Sequence, residues 1–145
     1  MNSINILVAD DDSDDRLLTK EAFQENRLKN PIFFVEDGEQ LMNFLKHRNG
    51  YNAQNAPRPG LILLDLNMPK LDGREALAEI KSDPKLKSIP VIILTTSKRE
   101  EDIIKSYDLG VNSFITKPVS FNDLVEVTAR IKNYWFELVK LPKDN

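Results

Sequence analysis

The stretch Leu61–Asp65 reads LILLD: four consecutive apolar residues end abruptly in an acid. An apolar run without polar alternation is typical of a strand that is covered on both faces of a parallel sheet. Two further runs end in the same way, since Ile4–Ala9 precedes two aspartates and Val91–Leu94 precedes a threonine. The carboxyl ends of neighbouring parallel strands meet at one edge of an open α/β sheet, where such folds place their ligand sites. The sequence therefore predicts a polar, acidic site at that edge.

The acids of this predicted site are Asp10, Asp11 and Asp65. Carboxylates brought close together repel one another and are hard to keep ionised without a counter-charge. Oxygen ligands of this kind are the ones that hard divalent cations prefer. We therefore expect the three aspartates to surround a bound divalent cation.

Strands and helices are predicted to alternate along the whole chain. Strand-length runs at Ile32–Val35 and Ser113–Ile115 bring the number of predicted strands to five. The first predicted helix starts near Asp12 or Ser13, which are good capping residues. Periodic apolar residues complete the helices: an inward stripe of Leu17, Leu18, Ala22 and Phe23 in the first, an apolar face of Leu41, Met42, Phe44 and Leu45 in the second, and three more helices at Gly73–Lys81, Glu100–Leu109 and Phe121–Leu138.

Five strands that alternate with five helices predict a doubly wound α/β fold. Repeated right-handed crossovers require a parallel sheet with helices on both faces. The commonest five-stranded solution has the strand order 2-1-3-4-5, with its switch point between the first and third strands. Asp10, Asp11 and Asp65 are predicted to lie beside that crevice.

Composition excludes several classes of protein. The chain has 145 residues, a net charge of −3 and no cysteine, so we expect one domain over residues 1–145, without a thiolate metal site and without a nucleic-acid partner. The start lacks the features of a signal peptide, and no apolar run approaches the ~20 residues of a membrane span. We therefore expect a cytoplasmic protein with no membrane partner. Because the chain ends a few residues past the last helix, no output domain is expected.

Four motifs follow the predicted strands in order: Asp10-Asp11 after the first, Asp65 within Leu64–Gly73 after the third, Thr95 after the fourth and Lys117-Pro118 after the fifth. With these motifs the sequence resembles, over its whole length, the receiver domain of two-component response regulators, which has a flavodoxin-like (βα)5 fold. The resemblance implies that Asp65 is the phosphoacceptor and takes its phosphoryl group from a phosphohistidine of a sensor histidine kinase. It also implies signalling by phosphorylation-dependent protein interaction, with slow self-dephosphorylation instead of enzymatic turnover.

The resemblance assigns the cation site as well. A carboxylate is a poor nucleophile toward an anionic phosphoryl group, so Mg²⁺ is needed to neutralise charge and align the two groups. Mg²⁺ prefers six oxygen ligands and keeps several waters. Following the family pattern, Asp11 and Asp65 are carboxylate ligands, the main-chain carbonyl of Asn67 is a further ligand, and Asp10 acts through a water.

The remaining residues implied by the resemblance form a switch. Lys117 pairs with Asp65 at rest and with a phosphoryl oxygen after transfer, while the Thr95 hydroxyl binds another phosphoryl oxygen. When that hydroxyl moves toward the phosphoryl group, Phe114 turns inward to fill the vacated space. The Lys117-Pro118 peptide is expected to be cis in this family, which is inexpensive before proline.

Two features extend beyond the shortest family members. Asn49–Pro59 is a polar insertion before the third strand, and the last helix continues through Asn133–Leu138. These features, together with Trp135, resemble stand-alone regulators that serve cyanobacterial and bacterial phytochrome kinases. A phytochrome-type sensor kinase is therefore the expected partner.

The aromatic tail predicts a protein interface. Tyr134, Trp135, Phe136 and Leu138 place more apolar bulk on the last helix than one face of the core can absorb. The family commonly pairs through its fourth helix, fifth strand and fifth helix, so a homodimer is one expectation. The alternative is that the extra helical turn folds back on its own domain.

The sequence also permits other interpretations of the same residues. Asp12, Asp14 and Asp15 fit a helix cap with a favourable first turn, and the only histidine, His47, fits a surface position. A haloacid-dehalogenase-type phosphatase is disfavoured because Asn67 stands where that class needs a second acid. A nucleotide-binding module lacks any glycine-rich phosphate motif. A degenerate receiver, acting as a binding module without phosphorylation, is the main alternative function.

Overall fold

The structure is a computed structural model that describes residues 4–66, 68, 70–71, 73–95, 113–116 and 120–140. The strands are β1 (Ile6–Ala9), β2 (Ile32–Val35), β3 (Leu61–Asp65), β4 (Val91–Thr95) and β5 (Ser113–Thr116). The helices within these ranges are α1 (Ser13–Glu25), α2 (Gly38–Lys46), α3 (Gly73–Ser82) and α4 (Phe121–Lys140). The helix predicted at Glu100–Leu109 lies outside the described residues, so α4 corresponds to the last of the five predicted helices.

The five strands form one parallel sheet in the order β2-β1-β3-β4-β5, which confirms the predicted topology. Ala9 pairs with Leu64, and Asp65 pairs with Leu94. This register places the end of β1 and the end of β3 side by side. Asp65 is the last residue of β3 instead of the first residue after it, one position further into the sheet than the apolar run alone predicts.

The contacts divide the chain into two compact units, residues 1–16 with 30–117 and residues 17–29 with 118–145. In the first unit every residue of β1 and β3 is buried, as expected for central strands. The predicted inward residues of α2 are confirmed, with Leu45 only partly buried, and α3 buries an apolar face of its own. The buried members are Leu41, Met42, Phe44, Ala76, Leu77 and Ile80.

The insertion before β3 is built by asparagine side chains. Asn52 Oδ1 accepts hydrogen bonds from the main-chain N–H groups of Gln54 (2.8 Å) and Asn55 (2.9 Å), and Ala56 reaches the apolar core. His47 is exposed, as predicted, but it also ends α2 in a left-handed conformation, and its Nε2 donates to the Ala56 carbonyl at 2.8 Å. The insertion is therefore tied to the end of α2 and to the core.

In the second unit, α1 and α4 are joined through Asn26. Its Nδ2 group lies 3.0 Å from the Val125 carbonyl and 2.7 Å from Thr128 Oγ1, and Lys132 Nζ donates to the Asn26 carbonyl at 2.6 Å. Thr128 is buried, so its hydroxyl needs these partners. A polar contact of this kind fixes the register between two helices.

The inward stripe predicted for α1 is partly wrong. Ala22 and Phe23 are fully buried, but Leu17 and Leu18 are 55% and 37% exposed. The buried face instead starts at Thr19, which shares it with the residues three and four positions further on. Leu17 precedes Thr19 by two residues, about 200° around the helix, and so it faces solvent. Apolar character alone misplaced the stripe because a threonine occupies the buried position.

Among the described residues, no helix combines the length and the apolar character that crossing a bilayer requires.

Candidate functional site

Three carboxylates meet at the carboxyl ends of the central strands. Asp10 directly follows β1, Asp65 ends β3, and Asp11 is the next residue after Asp10. One carboxylate oxygen from each lies within 4.8 Å of the others. Asp10 and Asp65 are only 1% and 3% exposed, whereas Asp11 is exposed. The predicted acidic cluster is therefore present, with two buried acids and one that opens to solvent.

Asp10 is held through both its backbone and its side chain. Its N–H donates to the Val35 carbonyl (3.1 Å), and its own carbonyl accepts from Arg16 Nη1 (2.8 Å). One oxygen of its carboxylate, Oδ1, accepts from the Asp12 N–H at 3.0 Å. These bonds fix the direction of the carboxylate before any ligand arrives.

The aspartates near the start of α1 have different structural roles. Asp12 Oδ1 accepts hydrogen bonds from the N–H groups of Asp14 (2.8 Å) and Asp15 (3.2 Å), so Asp12 is the capping residue. Asp14 and Asp15 occupy the first turn, where negative charge is favourable. The capping interpretation thus holds for these three residues, and Asp10 and Asp11 remain for the site.

Arg16 is a site residue that the sequence analysis missed. Besides its bond to Asp10, its Nη2 lies 3.8 Å from Glu36 Oε1 at the end of β2. A positively charged side chain in the first turn of a helix interacts unfavourably with the positive end of the helix dipole. That unusual position was the signal in the sequence, because such a residue needs a partner outside its own helix.

The turn after Asp65 is closed by a glycine. The Gly73 N–H donates to the Leu66 carbonyl at 3.1 Å. A Cβ at Gly73 would lie 2.5 Å from Leu66 Cα and 2.7 Å from the Asp65 carbonyl oxygen, so the backbone approaches more closely than any side chain allows. Gly73 therefore determines the path of the chain directly behind the acidic cluster.

The other predicted site residues are only partly covered by the structure. Asn67, Lys117 and the Lys117-Pro118 peptide lie outside the described residues. Thr95 is the last residue of β4, one position past the Leu94 that pairs with Asp65, and Phe114 lies on β5 opposite Ile93. Phe114 thus lies on the fifth strand as predicted, whereas Thr95 ends β4 instead of following it. The side chains of both residues lie outside the described part of the chain.

The donor set fits a hard divalent cation. Three carboxylate oxygens within one small volume are ligands of the type that Mg²⁺, Mn²⁺ and Ca²⁺ share. The exposed Asp11 provides access from solvent, and it leaves room for the waters that Mg²⁺ retains. A bound cation also offsets the repulsion among the three acids.

Substitution at the cluster should weaken cation binding selectively. We expect the wild-type protein to bind Mn²⁺ and Asp11→Asn to bind it about tenfold more weakly, because an anionic ligand is lost. Electron paramagnetic resonance of free Mn²⁺ measures both affinities. Asp12→Asn is the matched control, since it removes one charge from the same segment and keeps a good cap. Equal weakening in both variants would mean that overall charge, and not the cluster, sets the affinity.

Comparison with known proteins agrees with this geometry. The family model for the response regulator receiver domain matches residues 6–129. Response regulator Rcp1 of Synechocystis sp. is 45% identical over 137 residues, which cover 94% of this chain and 92% of Rcp1. The phosphorylated cyanobacterial phytochrome response regulator RcpA superposes with a TM-score of 0.83 at 44% identity, covering 93% of this chain and 95% of RcpA. The Mn²⁺-bound form of Rcp1 gives a TM-score of 0.80 at 44% identity, with coverages of 91% and 94%. The chain belongs to the response regulator receiver domain family.

Proposed function

We propose that this protein is a stand-alone response regulator whose Asp65 accepts a phosphoryl group from a phosphohistidine of a sensor histidine kinase. The observation that carries the proposal is the convergence of Asp65 with Asp10 and Asp11 at the carboxyl edge of the sheet. Family membership supports the same function. The coverage of 92% of Rcp1 supports a single receiver domain over residues 1–145.

Phosphoryl transfer at this site forms one bond and breaks one. A carboxylate oxygen of Asp65 attacks phosphorus, the P–N bond to the kinase histidine breaks, and its electron pair leaves with the imidazole. The product is an aspartyl phosphate. Asp10, Asp11, Asp65 and the main-chain carbonyl of Asn67 are the residues assigned to Mg²⁺. When bound, Mg²⁺ neutralises charge on the phosphoryl oxygens and the nucleophile.

The chain's own residues then orient the transferred group. The rigid hydrogen bonding of Asp10 keeps the acidic cluster preorganised, so little rearrangement is needed at the moment of transfer. We assign the Thr95 hydroxyl and the Lys117 ammonium to the phosphoryl oxygens. Thr95 and Phe114 are assigned to the switch that reports phosphorylation. The position of Thr95 at the end of β4, next to the strand of Asp65, supports its part in this assignment.

The protein is a signalling phosphoacceptor, and we propose that it is not a turnover enzyme. Asn67 stands two residues after the nucleophile, where a phosphatase of the aspartate-nucleophile class needs an acid for the leaving group. Hydrolysis of the aspartyl phosphate is then slow self-chemistry. The alternative is a degenerate receiver that binds partners without phosphorylation, and the complete acidic cluster argues against it.

The proposed partner is a phytochrome-type histidine kinase in the cytoplasm. The likeness to a cyanobacterial phytochrome response regulator, RcpA, supports this partner. The identity of 45% to Rcp1 extends over nearly the whole of both chains.

Phosphorylation should depend on both Asp65 and a divalent cation. We expect the wild-type chain to gain the mass of one phosphoryl group with Mg²⁺ and acetyl phosphate, measured by intact-mass spectrometry. Asp65→Asn should gain nothing, because an amide cannot form the aspartyl phosphate. Asp83→Asn, on the loop after α3, is the control and should behave as wild type. A wild-type protein that stays unmodified with acetyl phosphate and with a kinase would favour the degenerate receiver.

We also propose that the aromatic end of α4 supports a homodimer. Tyr134, Trp135, Phe136 and Leu138 follow one another closely in the last turns of a 20-residue helix, and clustered aromatic residues are typical of interface centres. Sedimentation velocity should show a dimer for the intact chain and a monomer for a chain truncated before Tyr134. Trp135→Ala should weaken the dimer, whereas Asn133→Ala should leave it unchanged. A monomer in every case would contradict the dimer.

A further inference from the structure

The β2–α2 turn, defined here as Glu36 and Asp37 together with Gly38, the first residue of α2, contacts Arg16 near Asp10 and the segment that follows Asp65. On one side, Glu36 Oε1 lies 3.8 Å from Arg16 Nη2, and Arg16 in turn donates to the Asp10 carbonyl. On the other side, Asp37 and Gly38 contact the segment that follows Asp65 along the chain. Nothing in the chemistry of phosphoryl transfer assigns a role to this turn.

Gly38 makes the closest of these contacts. A Cβ at this position would collide with the Leu71 carbonyl oxygen and would lie 2.6 Å from the Leu71 carbonyl carbon and 2.8 Å from Leu71 Cβ. Gly38 is the first residue of α2 and does not have a positive φ, so conformational freedom is not the reason for a glycine. Glycine is also a poor helix former. The position therefore requires a glycine because of close approach by the loop backbone.

The turn itself is rigid enough to act as a support. Asp37 caps α2, with its Oδ1 accepting from the Gln40 N–H at 2.7 Å, and Gln40 Oε1 accepts from the Glu36 N–H at 2.9 Å. Asp37 is also buried. Two reciprocal bonds of this kind hold the first turn of a helix and the residues before it in one geometry.

The loop that packs against this turn is constrained at its base and at its centre. Gly73 closes its base through the bond to the Leu66 carbonyl. At its centre Lys70 has φ 67°, a left-handed conformation that a lysine keeps only where its surroundings hold it. Lys70 Nζ lies 3.8 Å from Asp37 Oδ2, but the lysine side chain is 62% exposed, so this ion pair is a minor contribution. The steric contact between Gly38 and Leu71 is the main one.

We infer that the β2–α2 turn is a positioning element for the phosphoacceptor site, because Gly38 sets the path of the loop that follows Asp65. The contact of Glu36 with Arg16, at 3.8 Å and with the glutamate side chain 60% exposed, is a minor contribution. The inference rests on the proposed function. Glu36, Asp37 and Gly38 are not members of the carboxylate cluster of Asp10, Asp11 and Asp65, so the proposed role is an indirect one, through the backbone next to that cluster. Displacing the backbone at Leu71 should disturb the segment that begins directly after Asp65 and is closed by the bond from Gly73 to Leu66, and so weaken both cation binding and phosphorylation.

Gly38→Ala tests this inference against a matched glycine. Gly60→Ala crowds the same unit at the other end of β3, where a Cβ would lie 2.6 Å from Ile4 Cβ. Mn²⁺ affinity by electron paramagnetic resonance, phosphorylation rate with acetyl phosphate and the urea midpoint are measured for both variants. We expect Gly38→Ala to weaken Mn²⁺ binding and to slow phosphorylation about tenfold each, the effect typical of losing support behind metal ligands. Gly60→Ala should lower the urea midpoint alone.

The outcomes separate this inference from the proposed function. A wild-type protein that takes up no phosphoryl group contradicts the proposed function. If the wild type is phosphorylated, and Gly38→Ala has the same phosphorylation rate and the same Mn²⁺ affinity, the positioning role is overturned. If Gly38→Ala does not fold, Lys70→Gly decides, because glycine adopts the same φ without strain and frees the loop. Weaker Mn²⁺ binding at an unchanged urea midpoint supports the inference, and wild-type binding overturns it.

Discussion

The functional site depends on one constraint: the parallel register of β1 and β3 brings three carboxylates together. A bound cation can relieve the repulsion among them. Ala9 pairs with Leu64, so the backbone pairing brings together the acids that end or follow these two strands, although their charges repel. Two of the three are buried, and their oxygens lie within 4.8 Å of each other. Two unit charges about 5 Å apart would repel by about 3 kcal/mol at an effective dielectric constant of about 20. A cost of this size is a large fraction of the free energy of unfolding of an ordinary domain, which is about 5–15 kcal/mol.

The aspartates of the acid-rich segment after β1 have two different roles, one at the start of α1 and one at the cation site. Five aspartates occur within Asp10–Asp15. Three of them serve the start of α1, as the cap and in the first turn, where they stabilise the helix. Only Asp10 and Asp11 remain to face Asp65. A single short segment thus provides both the helix start and half of the cation site, and Arg16 joins the two by its bond to Asp10.

Much of this arrangement was predictable because it is local. Uniform apolar runs identified β1, β3 and β4, and the rule that parallel strand ends share one edge was enough to bring Asp10, Asp11 and Asp65 together. The strand order followed from the alternation of elements. Asp12 was recognisable as a cap from its place before the first helix.

The missed features depend on partners that are distant along the chain. The exposed Leu17 and Leu18 could not be recognised because a threonine, not an apolar residue, occupies the buried position of α1. The contact of Arg16 with Glu36 and that of Gly38 with Leu71 join segments separated by 20 and 33 residues. The periodicity of apolar residues along the sequence gives no sign of such contacts. Gly38 looks like an ordinary turn glycine in the sequence. Only the fold shows that it lies against the loop that follows Asp65.

Locating the phosphoryl group itself tests most directly whether Asp65 is the phosphoacceptor. The protein is phosphorylated with acetyl phosphate and Mg²⁺ and then treated with borohydride, which reduces an aspartyl phosphate to homoserine. Tandem mass spectrometry then identifies the reduced residue. We predict homoserine at position 65 alone, and only when Mg²⁺ was present during phosphorylation. Homoserine at position 10 or 11 would contradict the assignment of Asp65 as the acceptor, and reduction without Mg²⁺ would contradict the role of the acidic cluster.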